Sequence, residues 1–437
     1  MTSTSRRHWL RGSAAVLAVG AGLGSAACSR RDGRLLRFWA MGREGEVAAE
    51  LVAGFEREHP GLRVRVEQLP WSAAHEKLLT AFAGDATPDL AQMGNTWLPE
   101  MAALGALQPL DALIAQTPAI DRGDHFEGIW ATNLVSGTLV GLPWYVDTRL
   151  FFYRRDLLQA AGYAEVPTDW SAWVDCLRAL QASKTRPVAT PVLLPTNEFE
   201  PLLAFALQQE GELLRDGGRF GHFSGAGFRR AFEFYRSLFE QGLAPGLTNN
   251  QVANVWQEFS RGTFAFYLSG PWNISEFKRR LPAAQQGNWA TAPLPGPFGP
   301  GASIAGGSSL VLFRRSPRQR EAWQLIEYLS RPAVQLQFYR LTGNLPPRRS
   351  TWALPRQDGP TLAEDLHARA FAQQLERVRA TPAVPEWERI VQEMQLSAAR
   401  AVHTRADLDA TVRGLDARVD AMLEKRRWML ARVGAPA

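Results

Sequence analysis

Apolar residues recur along this chain with two periods, and the alternation between them sets out the fold. Residues 35–39 read as a strand, and 46–58 as a helix because Val47, Leu51 and Phe55 stand one above another at four-residue spacing. Pro60-Gly61 stops that helix. Leu62, Val64 and Val66 then alternate with Arg63, Arg65 and Glu67, as a half-buried strand does. A second helix follows over 72–83 with Leu78, Leu79 and Phe82 inward, and a third strand over 89–93. Strand, helix, strand, helix, strand with short connections predicts a parallel, doubly wound α/β sheet. Such sheets bind ligands beyond the carboxyl ends of their strands, which puts residues 41–44 and 94–97 on one cleft.

The stretch 141–158, GLPWYVDTRLFFYRRDLL, sets Trp144, Tyr145, Asp147 and Arg149 beside the apolar run 150–153. Pro143 fixes its own φ and pushes Leu142 toward extended geometry, so the chain enters the Trp-Tyr pair without helix, as a crossover between two lobes would. Beyond it, 168–183 predicts a helix capped by Thr168 with Trp170, Val174, Leu177 and Leu180 inward. Helices are also expected over 199–209 and 228–241, the latter burying Phe232, Phe239 and either Leu238 or Tyr235. Residues 262–267 read as a strand and 268–272 as the crossing back to the first lobe. There 289–294 and 309–313 are expected to add two short strands, joined by a Gly- and Pro-rich loop over 295–307. The helix 318–330 then leads back to the second lobe. Leu408, Val412, Leu415 and Val419 align on a last helix running to about residue 429.

The first 27 residues differ in kind, with Arg6, Arg7 and Arg11 ahead of an apolar run over 12–27, and read as a targeting segment outside the fold. Ser5-Arg6-Arg7-His8-Trp9-Leu10-Arg11 resembles the twin-arginine export motif. Ser25-Ala26-Ala27-Cys28 resembles a bacterial lipoprotein cleavage box, which would leave Cys28 lipidated. Removing those three arginines, with no acid among them, lowers the net charge from +6 to +3, and so near-neutral a protein argues against nucleic-acid binding. No later span has about 18 consecutive apolar residues, so none is expected to cross a membrane. At 437 residues two domains are expected. Cys176, on the inner face of its helix, reads as a buried thiol.

Enzyme signatures are not found. The histidines at 8, 59, 75, 125, 222, 367 and 403 never stand three or four apart, which leaves no helical metal pair. There is no phosphate loop, and Gly221-His222-Phe223-Ser224-Gly225 has the wrong spacing for a nucleophile elbow. No cofactor and no metal are expected, although two cleft carboxylates would suffice for a glycosidase, which is the alternative reading. Fifteen tryptophans are unusual, and Trp97, Trp144, Trp272 and Trp387 fall after strand ends or beside prolines, where an aromatic face can serve as a platform for a sugar ring.

The opening strand, Phe55-Glu56-Arg57-Glu58-His59-Pro60, Gly84-Asp85-Ala86-Thr87-Pro88-Asp89, Leu142-Pro143, Ser269-Gly270-Pro271-Trp272 and Gly306-Gly307 stand in the order of one family's markers. From about residue 34 to the C-terminus the chain resembles the extracellular solute-binding proteins that deliver sugars to ABC importers, of the maltose type. The resemblance implies a two-lobed periplasmic-binding-protein-like α/β fold (type II), each lobe a parallel sheet flanked by helices, with the ligand cleft between them. Lobe one would comprise 34–143 and 271–313, and lobe two 147–266 and 316–437. It implies ligand contacts at Glu44, Asn95, Trp97, Trp144, Tyr145, Asp147, Trp272, Arg348 and Trp387, with Gly306 and Gly307 offering backbone N–H groups. The expected ligand is an oligosaccharide, a disaccharide first, and the expected partner the membrane subunits of an ABC permease. The protein would be a monomeric binder without enzymatic activity, exported to the periplasm or cell surface and anchored through Cys28.

Overall fold

The computed structural model describes residues 35–433 except 253 and 358, so the leader and Cys28 lie outside the described residues. Lobe one is built on a five-stranded sheet in the order Arg63–Leu69, Leu35–Met41, Leu90–Gly94, Gly306–Leu312, Leu142–Asp147. The first three strands run parallel, as the alternating pattern predicts, and the last two pair antiparallel, so the sheet is mixed. Alternation along Leu35–Met41 sends Leu36, Phe38 and Ala40 to the helix Gly42–Glu58, through Val47, Leu51 and Phe55. Trp39 and Met41 take the other face, against Leu78 of the helix Trp71–Ala83.

Lobe two is built on a four-stranded sheet in the order Trp289–Ala292, Leu150–Arg154, Phe266–Ser269, Val192–Leu193, of which only the last pair is parallel. The helix Trp170–Ala182 lays Trp173 on Phe151 with ring centroids 4.8 Å apart. Its cap is Asp169, whose carboxylate accepts the N–H of Ala172, and not Thr168. In the helix Ala226–Glu240 the buried face is Phe228, Ala231, Phe232, Tyr235 and Leu238, with Phe239 only half-buried. The last expected helix is two, Leu408–Met422 and Glu424–Val433. Among the described residues no helix is long and apolar enough to cross a membrane.

Three elements lie in the opposite lobe from the one expected. Trp289–Ala292 pairs with Leu150–Arg154 in lobe two, where Trp289 packs on Phe152 and Phe277. The helix Trp272–Arg280 buries Ile274 and Phe277 in the same cluster, so residues 268–272 do not cross back to lobe one. The chain returns between Ser303–Ile304 and Gly306–Leu312 instead. Finally, the helix Gln319–Leu329 packs Ala322, Leu325 and Ile326 against Leu36, Phe38 and Leu310 of lobe one. Short apolar segments announce that they are buried without naming the sheet that buries them.

Two buried histidines make the fold acid-sensitive. His125 lies against Trp130, and His367 stacks on Trp289 with centroids 3.6 Å apart. Burial pushes both pKa values down from 6.5 to about 4. The folded protein therefore holds them neutral while the unfolded chain begins to take up protons below 6.5. Their contribution is complete above that pH and is lost on the way down to 4, by on the order of 1.4 kcal/mol per pH unit and histidine. The His367→Phe variant is expected to lose less stability than wild type between pH 6.5 and 4.5 in urea unfolding. Parallel losses in the two proteins would contradict this.

Candidate functional site

The two loops at the carboxyl ends of the lobe-one strands do meet, on a cleft of about 650 Å³ whose other wall is lobe two. The helix Gly42–Glu58 starts directly after the first strand, four residues earlier than its apolar periodicity suggests, and its first turn carries Glu44 into the cleft. Gly42 makes this start possible. Its φ is +50°, and a Cβ there would stand 2.7 Å from the indole of Trp71. Glu44 is buried and accepts a hydrogen bond from Asn344 Nδ2 at 2.6 Å. Burial raises its pKa above the ordinary carboxylate value, against the opposing hydrogen bonds of Asn344, Tyr145 and Trp71.

Trp71 and Trp97 meet edge to face with centroids 5.7 Å apart, Trp71 more than a third exposed and Trp97 largely covered by it and by His75. Asn95, between strand and cleft, is committed to the protein itself. Its Nδ2 donates to Thr132 Oγ1 at 2.5 Å, and its Oδ1 accepts from Ser309 Oγ at 3.0 Å, which ties the loop to two neighbouring segments. Tyr145 and Asp147 share one face of the strand Leu142–Asp147 and line the cleft. The Tyr145 hydroxyl accepts from Gln92 Nε2 at 3.3 Å, and burial followed by the charge of Glu44 lifts its pKa well above 10.

Lobe two contributes a charged floor. Arg149 is buried, ion-paired to Glu200 and 3.4 Å from Asp147 Oδ1, with its guanidinium 4.6 Å from the centre of the Trp272 ring. Burial works against the arginine's charge, but Asp147, Glu200 and Glu198 overcome it and hold its pKa above the ordinary value. Burial raises Asp147, which Arg149 opposes and Glu200 reinforces. Glu198, behind the floor, accepts from Asn249 Nδ2 at 2.5 Å and is also raised by burial. Three carboxylates thus share one guanidinium beside an aromatic face.

Eight of the expected residues line this cleft: Glu44, Asn95, Trp97, Tyr145, Asp147, Trp272, Gly306 and Gly307. The two glycines do so for a reason other than free N–H groups. They lie in the strand Gly306–Leu312, paired with Asp147 and Val146, and a Cβ would stand 2.5 Å from Asp147 O at Gly306 and 2.2 Å from Tyr145 O at Gly307. Their missing side chains let the two strands close together at the hinge.

Three expected residues are elsewhere. Trp144 points away from Tyr145 and Asp147 and stacks on Phe338 at 4.3 Å in the lobe-one core. Trp387 is buried in the core of lobe two, and its neighbour Glu388 lines the cleft instead. Arg348 is also buried, donating from Nε to Asp124 at 2.6 Å and from a terminal nitrogen to Ser330 O at 3.0 Å, a clamp on the 342–350 segment. Sequence reasoning missed Trp71, Arg149 as a site residue, Glu200 and Asn344. The signal for Trp71 was present, since it follows Pro70 directly after a strand end.

An aromatic pair on one wall, an aromatic beside a guanidinium on the other, and carboxylates at both can stack a ring and accept hydrogen bonds from several hydroxyls at once. Comparison with known proteins agrees in fold. The description "Bacterial extracellular solute-binding protein" matches residues 41–336. The solved sugar-binding protein MalE from the phytopathogen Xanthomonas citri is 55% identical, with a TM-score of 0.87 over 91% of this chain and 99% of that one. The GacH receptor of Streptomyces glaucescens, solved unliganded and with acarbose, is 24% identical with a TM-score of 0.74 over 89% of this chain and 98% of its own, a likeness of fold. The diacetylchitobiose binding protein DasA of Streptomyces coelicolor is 23% identical over 360 residues, 81% of each chain. With a family match over most of its length and the two-lobed architecture that goes with it, this chain belongs to the bacterial extracellular solute-binding protein family.

Proposed function

We propose that this protein captures an oligosaccharide, a disaccharide first, between its lobes outside the cytoplasmic membrane and passes it to the membrane subunits of an ABC importer. The observation that carries the reading is the convergence of Trp71, Trp97 and Trp272 on one cleft with Glu44, Asp147 and Arg149. The aromatic faces suit the C–H side of a sugar, and the charged groups suit its hydroxyls. Relatives that bind sugars, not hydrolases, favour capture over cleavage. The lobes join between Asp147 and Leu150, at Ala305 and through the 342–350 segment, so closure about these short strands would let a ligand touching both walls favour the closed state. A monomer exported by its leader and held at the membrane through Cys28 completes the proposal.

A thermal-shift screen over mono-, di- and trisaccharides tests it. A ligand at 100 times its dissociation constant adds about 2.7 kcal/mol to the folded state, which raises the melting temperature by a few degrees. No shift with any sugar would refute the reading. For the anchor, wild type should sediment with membranes and Cys28→Ser should not, and soluble wild type with another N-terminus would reject lipidation.

A further inference from the structure

Trp272 owes its orientation to the residue two places before it. Pro271 and Trp272 open the helix Trp272–Arg280, whose first turn is fixed by Asn273 N–H donating to Gly270 O at 3.2 Å and Ile274 N–H donating to Pro271 O at 3.0 Å. The side chain of Asn273 ties this turn further, donating to Ser269 Oγ at 2.6 Å and accepting from Trp256 Nε1 at 3.0 Å. With the backbone held, only the torsions of the tryptophan side chain are free to set its ring. The ring folds back over Gly270. A Cβ on that glycine would stand 1.9 Å from Cζ3, 2.5 Å from Cη2 and 2.6 Å from Cε3, along the outer rim of the six-membered ring. Opposing side-chain contacts come from Arg149, whose guanidinium lies over the indole and is itself held by Asp147 and Glu200.

We propose that Gly270 is a positioning residue: the absence of a side chain there lets the Trp272 indole fold back against the hinge under the Arg149 guanidinium, and so sets how the ring lines the sugar cleft. The inference rests on the sugar-binding reading of the cleft. Gly270 is not among the glycines with positive φ, so its backbone accepts alanine without that strain, and the three atoms nearest the new methyl group all belong to the indole. The ring has to move by at least about 1.5 Å to restore an ordinary contact, which takes it off Arg149 and changes the platform. A Phe at 272 lacks the outer rim that meets the methyl, so Gly270→Ala should be tolerated beside it.

A double-mutant cycle tests this. Maltose, cellobiose and N,N′-diacetylchitobiose serve as probes, and calorimetry follows whichever binds wild type most tightly. Gly270→Ala is expected to weaken that binding about tenfold. In the Trp272→Ala and Trp272→Phe backgrounds the same change should weaken it less than about twofold. The ring is also read without sugar, by the near-ultraviolet circular dichroism difference between wild type and Trp272→Phe, which Gly270→Ala should alter while the far-ultraviolet spectrum stays the same. Equal losses in all backgrounds, or an unaltered near-ultraviolet difference, would overturn the proposal. If no probe binds wild type yet the near-ultraviolet difference changes as expected, the choice of sugar fails and the seating of Trp272 by Gly270 stands.

Discussion

Replacing Arg149 with methionine is expected to destabilise the protein by about 3–4 kcal/mol and to abolish sugar binding, because a buried cation would be removed from carboxylates that remain. Asp147, Glu198 and Glu200 all interact with this one guanidinium, and among the described residues it is the cation that acts on Asp147 and Glu198. The pair was not built for stability alone, since desolvating it offsets much of the attraction, but breaking it on one side leaves the penalty without the gain. The pH dependence should follow from the same groups. Asp147 and Glu198 already have raised pKa values, and without Arg149 they rise further, so the folded variant binds protons more readily than the unfolded chain. Its deficit against wild type therefore shrinks as the pH falls through those raised values and is largest above them. Adding Glu200→Gln should recover part of the loss. Arg149→Lys should fall between, keeping a charge without the planar fork that spans two carboxylates and lies on Trp272. Urea unfolding at pH 7 and pH 5 measures the stability changes and calorimetry the loss of binding, and a loss below about 1 kcal/mol in Arg149→Met would show that the carboxylates are well solvated.

What could be read from the sequence divides along a physical line. Periodicity placed the strands Leu35–Met41, Arg63–Leu69 and Leu90–Gly94 and the helices between them, because each element there packs on its sequence neighbours. It therefore also placed the two loops that carry Glu44 and Trp97 to the cleft. It failed where pairing is long-range: Trp289–Ala292 joins a strand more than a hundred residues earlier, and Gln319–Leu329 returns to the first core. The site divides the same way. Tyr145 and Asp147 lie in the cleft and Trp144 does not, and strand alternation alone forbids all three from sharing a face. Trp387 beside a proline-rich strap looked like a platform, yet a helix face turned it into the core. Arg348 is a ligand contact only by the family resemblance, whereas its partner Asp124 lies 224 residues away and no local pattern reveals it. Gly306 and Gly307 line the cleft, and the close approach they permit is to another strand, which no local pattern indicates.

Trp272→Ala is expected to weaken binding of the preferred sugar by a factor of about 30, on the order of 2 kcal/mol, while the fold survives. The fold should survive because Trp272 is only half-buried and the neighbours that hold its helix, Ile274 and Phe277, stay in place. The affinity should not, because the indole is the aromatic surface beside the paired charges of Asp147, Arg149 and Glu200, and the other apolar groups lining the lobe-two wall, Phe199, Leu203 and Ile304, belong to the lobe-two core. Losing the ring removes stacking and also uncovers Arg149 to water, which weakens its hold on the carboxylates meant to meet the hydroxyls. Trp71→Ala provides the comparison on the opposite wall, where Trp97 remains beneath it and retains part of the aromatic surface, so a smaller loss is expected there. Calorimetry on both variants, with far-ultraviolet circular dichroism to verify the fold, separates the walls. Normal binding by Trp272→Ala would move the sugar to the Trp71 and Trp97 side of the cleft, and with it the residues that choose the ligand.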